Sequence, residues 1–119
     1  MLKITIEGPP VRQARHRLGK WGNMYDPSSK DRKGLAMQLL SARIAHKKAL
    51  FKADLALEVR FYLPKGLRGR KPDLSNFLKA LEDSGNGTLW VDDSQIIEEH
   101  LYLHRDNADP RTELTVTEL

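Results

Sequence analysis

A chain of 119 residues with 39% hydrophobic and 30% charged side chains has the length and composition of one soluble globular domain. The sequence contains no cysteine, which excludes disulfide bonds, thiolate metal sites and a thiol nucleophile. No stretch is apolar and long enough for a signal peptide or a membrane span, so we expect a cytoplasmic protein that makes no membrane contact, with residues 1–119 as a single domain.

The charges are segregated along the chain. Residues 1–79 hold 18 basic and 6 acidic side chains, whereas residues 80–119 hold 2 basic and 10 acidic ones, for balances of +12 and −8. A polyanion such as DNA would bind the basic part, and clustered carboxylates in the acidic part could hold a divalent cation against it. Ordinary solvated surface is the alternative interpretation.

Periodicity predicts the elements of the first half of the chain. Alternation of apolar and polar residues over 2–6 predicts a strand, and a Gly-Pro-Pro turn follows it. Residues 11–34 show no sustained period and predict a long basic loop. Residues 35–50 predict the first helix, and the clear alternation over 55–63 predicts the second strand. The apolar face predicted for the first helix consists of Ala36, Met37, Leu40 and Ile44.

The second half begins with a basic connector over residues 65–71. Leu74, Phe77, Leu78 and Leu81 then have the spacing of a short amphipathic helix, for which Asp73 is placed as N-cap. After a turn, the third strand is predicted to place three apolar residues on one face, Ile97, Leu101 and Leu103.

Residues 112–117 predict a last strand that is antiparallel to its neighbour, because the connection before it is short. The element order is therefore β, α, β, α, β, β. This order indicates an α+β domain in which two helices cover a mixed sheet of about four strands.

Two groups of carboxylates suggest chemistry. Asp73 stands at the start of the second helix, and Asp92 and Asp93 stand before the third strand. Ends of elements can converge, and carboxylate oxygens suit Mg²⁺ or Mn²⁺, which can polarise a phosphodiester and activate water. Lys79, one helical turn after Ser75, could stabilise developing charge on the phosphate. A helix cap, a turn before a strand and a solvated lysine are the structural alternatives for these residues.

The sequence around these carboxylates resembles a known family signature. KPDLSNFLKALED at 71–83, followed by LWVDDSQI at 89–96, is similar to the RusA family of Holliday junction resolvases. In that family a Pro-Asp-x-Asp-Asn-x-x-Lys helix start precedes an Asp-Asp-x-Gln strand, and the likeness extends over the whole chain. The resemblance implies a homodimeric endonuclease that cuts four-way DNA junctions in pairs during recombination and repair. It implies Mg²⁺ or Mn²⁺ and no small-molecule cofactor.

The resemblance also assigns roles to individual residues. It implies catalytic roles for Asp73, Lys79 and Asp93, and it makes Asp73, Asp92 and Asp93 the expected metal ligands. Ser75 departs from the pattern, because the best-known members have a second aspartate there.

The serine leaves an alternative open, namely a non-catalytic protein that binds junctions or other branched DNA through a weakened metal site. Glu82 or Asp83, farther along the helix, are candidates for the missing oxygen ligand.

The basic stretches supply the expected DNA contacts, which are Arg12, Arg15, Arg17, Lys20, Arg68, Arg70 and Lys71. Trp21, Tyr25 and Trp90 could stack on unpaired bases, although packing roles are the more common use of single aromatic residues. His100 and His104 would lie about 13 Å apart along a strand, too far to share a metal ion, so we interpret them as ordinary strand residues.

Overall fold

The computed structural model describes residues 1–12, 17–18, 24–25, 29–64 and 74–119, with the side chains of 17–18, 24–25 and 29–30 outside the description. The elements in chain order are β1 (Leu2–Glu7), β2 (Arg17–Leu18), β3 (Met24–Tyr25), α1 (Ser29–Ala45), β4 (Leu55–Leu63), α2 (Leu74–Gly85), a one-turn 3-10 helix (Asp93–Gln95), β5 (Ile96–Arg105) and β6 (Arg111–Glu118). The predicted order is confirmed, with the small β2–β3 ribbon added between β1 and α1.

Four strands form the main sheet in the order β1-β6-β4-β5. β6 is antiparallel to β1 and β4, and β5 is parallel to β4, which confirms the mixed sheet. The prediction that β6 is antiparallel to its neighbour is confirmed, but that neighbour is not β5, the strand before it, because β4 lies between them. Residues 106–110 cross the end of β4, where the Asp106 amide donates to the Leu63 carbonyl at 2.8 Å. A five-residue connection is long enough to span two strand spacings, about 10 Å.

The core lies between one face of this sheet and the two helices. Every second residue of β4 is buried, from Leu55 to Leu63, which is the pattern that the sequence predicted. Phe77 and Leu81 of α2 are part of the same apolar cluster. Burial of one sheet face under two helices is the ordinary way for such a sheet to remove its apolar side chains from water. Neither helix, in the part of the chain that is described, is apolar and long enough to cross a membrane.

The first helix differs from the prediction in its bounds and in its buried face. It begins at Ser29 instead of 35 and ends at Ala45, because polar residues with good helix propensity extend it at the start without giving an apolar signal. Lys47, with φ 54°, turns the chain out of the helix, a position where no glycine marks the end in the sequence. The buried side chains are Leu35 and Leu39. The predicted face was wrong at two of its members, since Met37 and Ile44 are 63% and 61% exposed.

A β-bulge shapes the start of β5. Leu55 pairs with Ile96 while the next residue, Ala56, pairs with Glu98, so Ile97 is the extra residue of the bulge and is 62% exposed. The prediction that Ile97 shares the apolar face of β5 is therefore wrong. Leu101 and Leu103 do pack against the core, as predicted.

The connection from α2 to β5 is closed by a buried tryptophan. Trp90 is fully buried, and its indole nitrogen donates to the Asn86 side-chain oxygen at 3.0 Å. The ring lies against the backbone of Gly85, the last residue of α2, where a Cβ atom would stand 2.1 Å from the indole. Arg43 of α1 also holds this connection by donating to the Thr88 carbonyl at 2.6 Å. Only glycine fits at position 85.

Replacement of Gly85 by alanine should destabilise the protein by about 3 kcal/mol, because overpacking displaces a ring that the core encloses. Urea unfolding measures the change. Gly34→Ala is the matched control, since Gly34 lies within α1 with nothing within 4 Å of the added Cβ. Gly34→Ala should raise the free energy of unfolding by about 1 kcal/mol, because alanine has a higher helix propensity than glycine. Equal stability of Gly85→Ala and the unsubstituted protein would contradict the packing argument.

Candidate functional site

Asp92 and Asp93 lie in the β5 turn, the name used here for residues 89–95. Asp92 caps the 3-10 helix, with its carboxylate accepting from the Ser94 amide at 3.0 Å and its own amide donating to the Gln95 side-chain oxygen at 2.9 Å. Hydrogen bonds from Ser94 hold the pKa of the exposed Asp92 carboxyl below its usual value. The carboxylate is therefore ionised and fixed in direction, which suits a structural cap and a cation ligand equally.

Four carboxyl groups, two from α2, one from the β5 turn and one from β5, interact around Glu82. Glu82 of α2 is hydrogen-bonded to Glu99 of β5 and is subject to the charges of Glu99, Asp93 and Asp83. Partial burial is the largest cause, followed by the bond to Glu99 and the charge of Glu99, and together these causes raise the pKa of Glu82 to about 8. A carboxyl group surrounded by other carboxyl groups in this way marks a concentration of negative charge.

Glu99 is a site residue that the sequence interpretation missed. It pairs with Leu57 across β4 and β5 and so lies on the same face of the sheet as Leu101, but its side chain is exposed. The sequence contained one signal for Glu99, because a charged residue occupies a strand position where the alternation predicts an apolar side chain. Glu82, in contrast, had been named from helical spacing as a candidate for an added oxygen ligand, and it does interact with the charge of Asp93.

On α2, Ser75 and Lys79 are both exposed and stand one helical turn apart. Asp73 immediately precedes the described part of α2 and lies outside the described residues. The contact of Asp73 with Asp93 therefore stays a prediction. Within the described residues, no three histidine or acidic side chains are arranged to enclose a metal ion.

Comparison with known families gives a match over almost the whole chain. The family model for the RusA endodeoxyribonuclease matches residues 7–117, a span that includes both α2 and the β5 turn. The chain belongs to the RusA family. Members of this family are Holliday junction endonucleases, so the protein belongs to a class of DNA-binding, DNA-cutting enzymes of recombination. A search of curated proteins found no match.

Most of the DNA-contacting residues expected for this RusA-family chain lie outside the described residues. Arg12 is described and is exposed, just after the turn that ends β1. Arg17 lies in β2 with its side chain outside the description. Those that lie wholly outside are Arg15, Lys20, Arg68, Arg70 and Lys71.

The three aromatic residues considered for base stacking differ in whether the structure describes their side chains. Trp90 packs in the core, the more common use of a single aromatic residue, and its fully buried ring is not available to stack on a base. Trp21 lies outside the described residues, and Tyr25 lies in β3 with its side chain undescribed.

The two histidines of β5 have separate packing partners. His104 stacks on Tyr62 with ring centroids 4.7 Å apart, and its Nε2 lies 3.3 Å from an Arg60 nitrogen. His100 contacts the Glu98 carboxylate at 3.1 Å. Their interpretation as ordinary strand residues is confirmed.

Stability should fall as pH rises from about 5 to 8, in part because of Glu82. The pKa of Glu82 is raised to about 8 in the folded protein, so between its ordinary value and about 8 the folded state binds more protons than the unfolded chain. Glu82→Gln should remove this contribution and flatten the decline, whereas Glu99→Gln should flatten it only in part, because partial burial, the largest cause of the raised pKa, remains. Urea unfolding at pH 5, 6, 7 and 8 measures both slopes. A decline in Glu82→Gln as steep as in the unsubstituted protein would show that the pKa of Glu82 is not raised by folding.

Proposed function

We propose that this protein is a metal-dependent endodeoxyribonuclease that resolves four-way DNA junctions by paired phosphodiester hydrolysis in recombination and repair. The observation that supports it most is the match of the RusA family over residues 7–117, which includes α2 and the β5 turn, where the charge of Asp93 acts on Glu82. A divalent cation bound among clustered carboxyl groups would replace the proton and relieve the repulsion between the negative charges.

The donor set fits Mg²⁺ or Mn²⁺ better than a softer metal, because it consists of carboxylate oxygens and the chain has no cysteine. We propose Asp73, Asp92 and Asp93 as the ligands, with Glu82, which interacts with the charge of Asp93, as a candidate for a further oxygen. When bound, such a cation polarises the phosphodiester and lowers the pKa of water. Lys79, exposed on α2, would neutralise charge on the phosphate.

The substrate would be held by the basic part of the chain. Residues 1–79 carry the entire positive surplus, and we propose that the segments 11–33 and 65–71 contact DNA phosphates. Their members are Arg12, Arg15, Arg17, Lys20, Arg68, Arg70 and Lys71. Phosphate contacts position a nuclease without reading bases, which suits recognition of a branched shape.

We also propose that the protein acts as a homodimer. Resolution of a junction requires paired cuts in two opposed strands, and a twofold assembly supplies two equivalent sites by symmetry. The cytoplasmic location stays a prediction from the sequence.

Asp93→Asn should lower the rate of junction cleavage by about 100-fold or more, because an amide is a poor ligand in place of a carboxylate. The assay compares a mobile four-way junction with linear duplex of the same sequence, in Mg²⁺ or Mn²⁺. Selective cutting of the junction is expected from the unsubstituted protein.

Asp109→Asn provides the matched control for this assay. Asp109 lies beyond the far end of β5 from Asp93 and is exposed, so the same substitution there should leave the rate unchanged. Equal losses in the two variants, or cutting that chelation of metal does not stop, would contradict the assignment.

Ser75 favours one alternative function, a non-catalytic protein that binds junctions or other branched DNA. Its hydroxyl replaces the carboxylate of the RusA pattern and gives the metal site one charge less. The raised pKa of Glu82 favours the metal-dependent nuclease instead, because it indicates that negative charge is still in excess near Asp93.

Ser75→Asp should lower the Mn²⁺ concentration for half-maximal cleavage by about tenfold, since an added carboxylate ligand strengthens binding of a hard cation. The fold should tolerate it, because an acidic residue in the first turn of α2 favours the helix dipole. Titration of cleavage with Mn²⁺ makes the measurement. Activity only in Ser75→Asp would establish the non-catalytic alternative for the natural sequence.

A further inference from the structure

Gln95 makes three hydrogen bonds that tie the β5 turn to a separate segment of the chain. Its side-chain oxygen accepts from the Asp92 amide at 2.9 Å. Its side-chain nitrogen donates to the carbonyls of Phe51 and Ala53, both at 2.9 Å. Both N–H groups and one acceptor of a half-buried amide are therefore used, all on backbone atoms.

Only one orientation of this amide satisfies its surroundings. The reversed orientation would direct the side-chain oxygen at two carbonyls and the nitrogen at the Asp92 N–H, so that like groups would face each other. The three partners thus define where the Gln95 amide must lie.

The segment to which Gln95 is bonded is itself joined to the β5 turn on both sides. The Phe51 amide donates to the Leu89 carbonyl at 2.8 Å, and the Val91 amide donates to the Phe51 carbonyl at 3.3 Å. Phe51 is buried in the core, directly before β4 begins at Leu55. The segment 51–53 is therefore a rigid support against which the turn can be aligned.

The side chain at 95 is constrained in length and in chemistry. Asparagine is one methylene shorter and cannot reach both carbonyls from the same backbone position, whereas methionine has the length but no N–H group to donate. Loss of these bonds would free the Asp92 amide and leave the Phe51 and Ala53 carbonyls without their side-chain donor.

We infer that Gln95 is a positioning residue for the proposed metal site, one that fixes the backbone of the β5 turn at Asp92 against the segment 51–53. The inference rests on the proposed function and adds to it a role for a residue that touches neither metal nor DNA. It also makes 51–53, a segment far from Asp93 in sequence, part of the frame of the site.

The test uses the full chain and two readouts. The first is backbone amide hydrogen exchange of Val91 and Asp92 in metal-free protein, which should be about tenfold faster in Gln95→Met. The second is the dissociation constant for Mn²⁺, measured without DNA from the electron paramagnetic resonance signal of the free ion. It should rise about tenfold, the usual effect of removing a partner that orients metal ligands.

Gln38→Met is the matched control. Gln38 also uses its amide to join backbone of another element, accepting from the Glu7 amide at 3.1 Å and donating to the Glu7 carbonyl at 3.5 Å. Gln38→Met should leave both the amide exchange rates and the Mn²⁺ dissociation constant unchanged. Gln95→Asn provides a second variant without added charge if Gln95→Met does not fold, as checked by circular dichroism.

The possible outcomes separate the two proposals. Folded Gln95 variants that bind Mn²⁺ as tightly as the unsubstituted protein overturn the positioning role, even where amide exchange or thermal stability changes. Unsubstituted protein that binds no Mn²⁺ and cuts no junction overturns the proposed function itself, and the role of Gln95 falls with it. Weaker Mn²⁺ binding in the Gln95 variants alone supports both.

Discussion

The packing of Trp90 against Gly85 is the constraint on which the site depends. The indole fills the core at the point where α2 ends, and the absence of a side chain at 85 lets the ring approach the helix backbone. The chain must therefore reverse immediately after α2. This reversal brings the last turns of α2, which carry Glu82, beside the turn that carries Asp93. A hydrophobic contact with no chemistry of its own thus sets the geometry of a cluster of charges.

The cluster of carboxyl groups around Glu82 destabilises the fold, and this destabilisation indicates a function for the cluster. A carboxyl whose pKa is raised to about 8 destabilises the folded protein at neutral pH. Some other charged side chains of the described residues form ion pairs: Arg60 lies 3.5 Å from Glu58, and Arg111 lies 2.9 Å from Asp106. Proteins concentrate like charges mostly where function requires it. The contrast between these ion pairs and the acidic cluster supports the choice of the β5 turn as the site.

The sequence located part of this site through a short motif and missed the rest. Asp92 and Asp93 could be found because their spacing from the second helix resembles a family pattern. Glu99 could not, because its contact with Glu82 depends on the pairing of β5 with β4 and on the packing of α2 over them. The role of Gln95 was equally hidden, since its partners at 51–53 are distant in the chain.

By itself the sequence determined the strands of β1, β4 and β6, the second helix and the family, because side-chain alternation, helical spacing and motifs are local properties. Only the tertiary structure decided that β6 lies between β1 and β4, that Ile97 is the bulged residue, and that Leu35 and Leu39 form the buried face of α1. These choices depend on which distant surfaces exclude water together, a property of the whole chain that no local period contains.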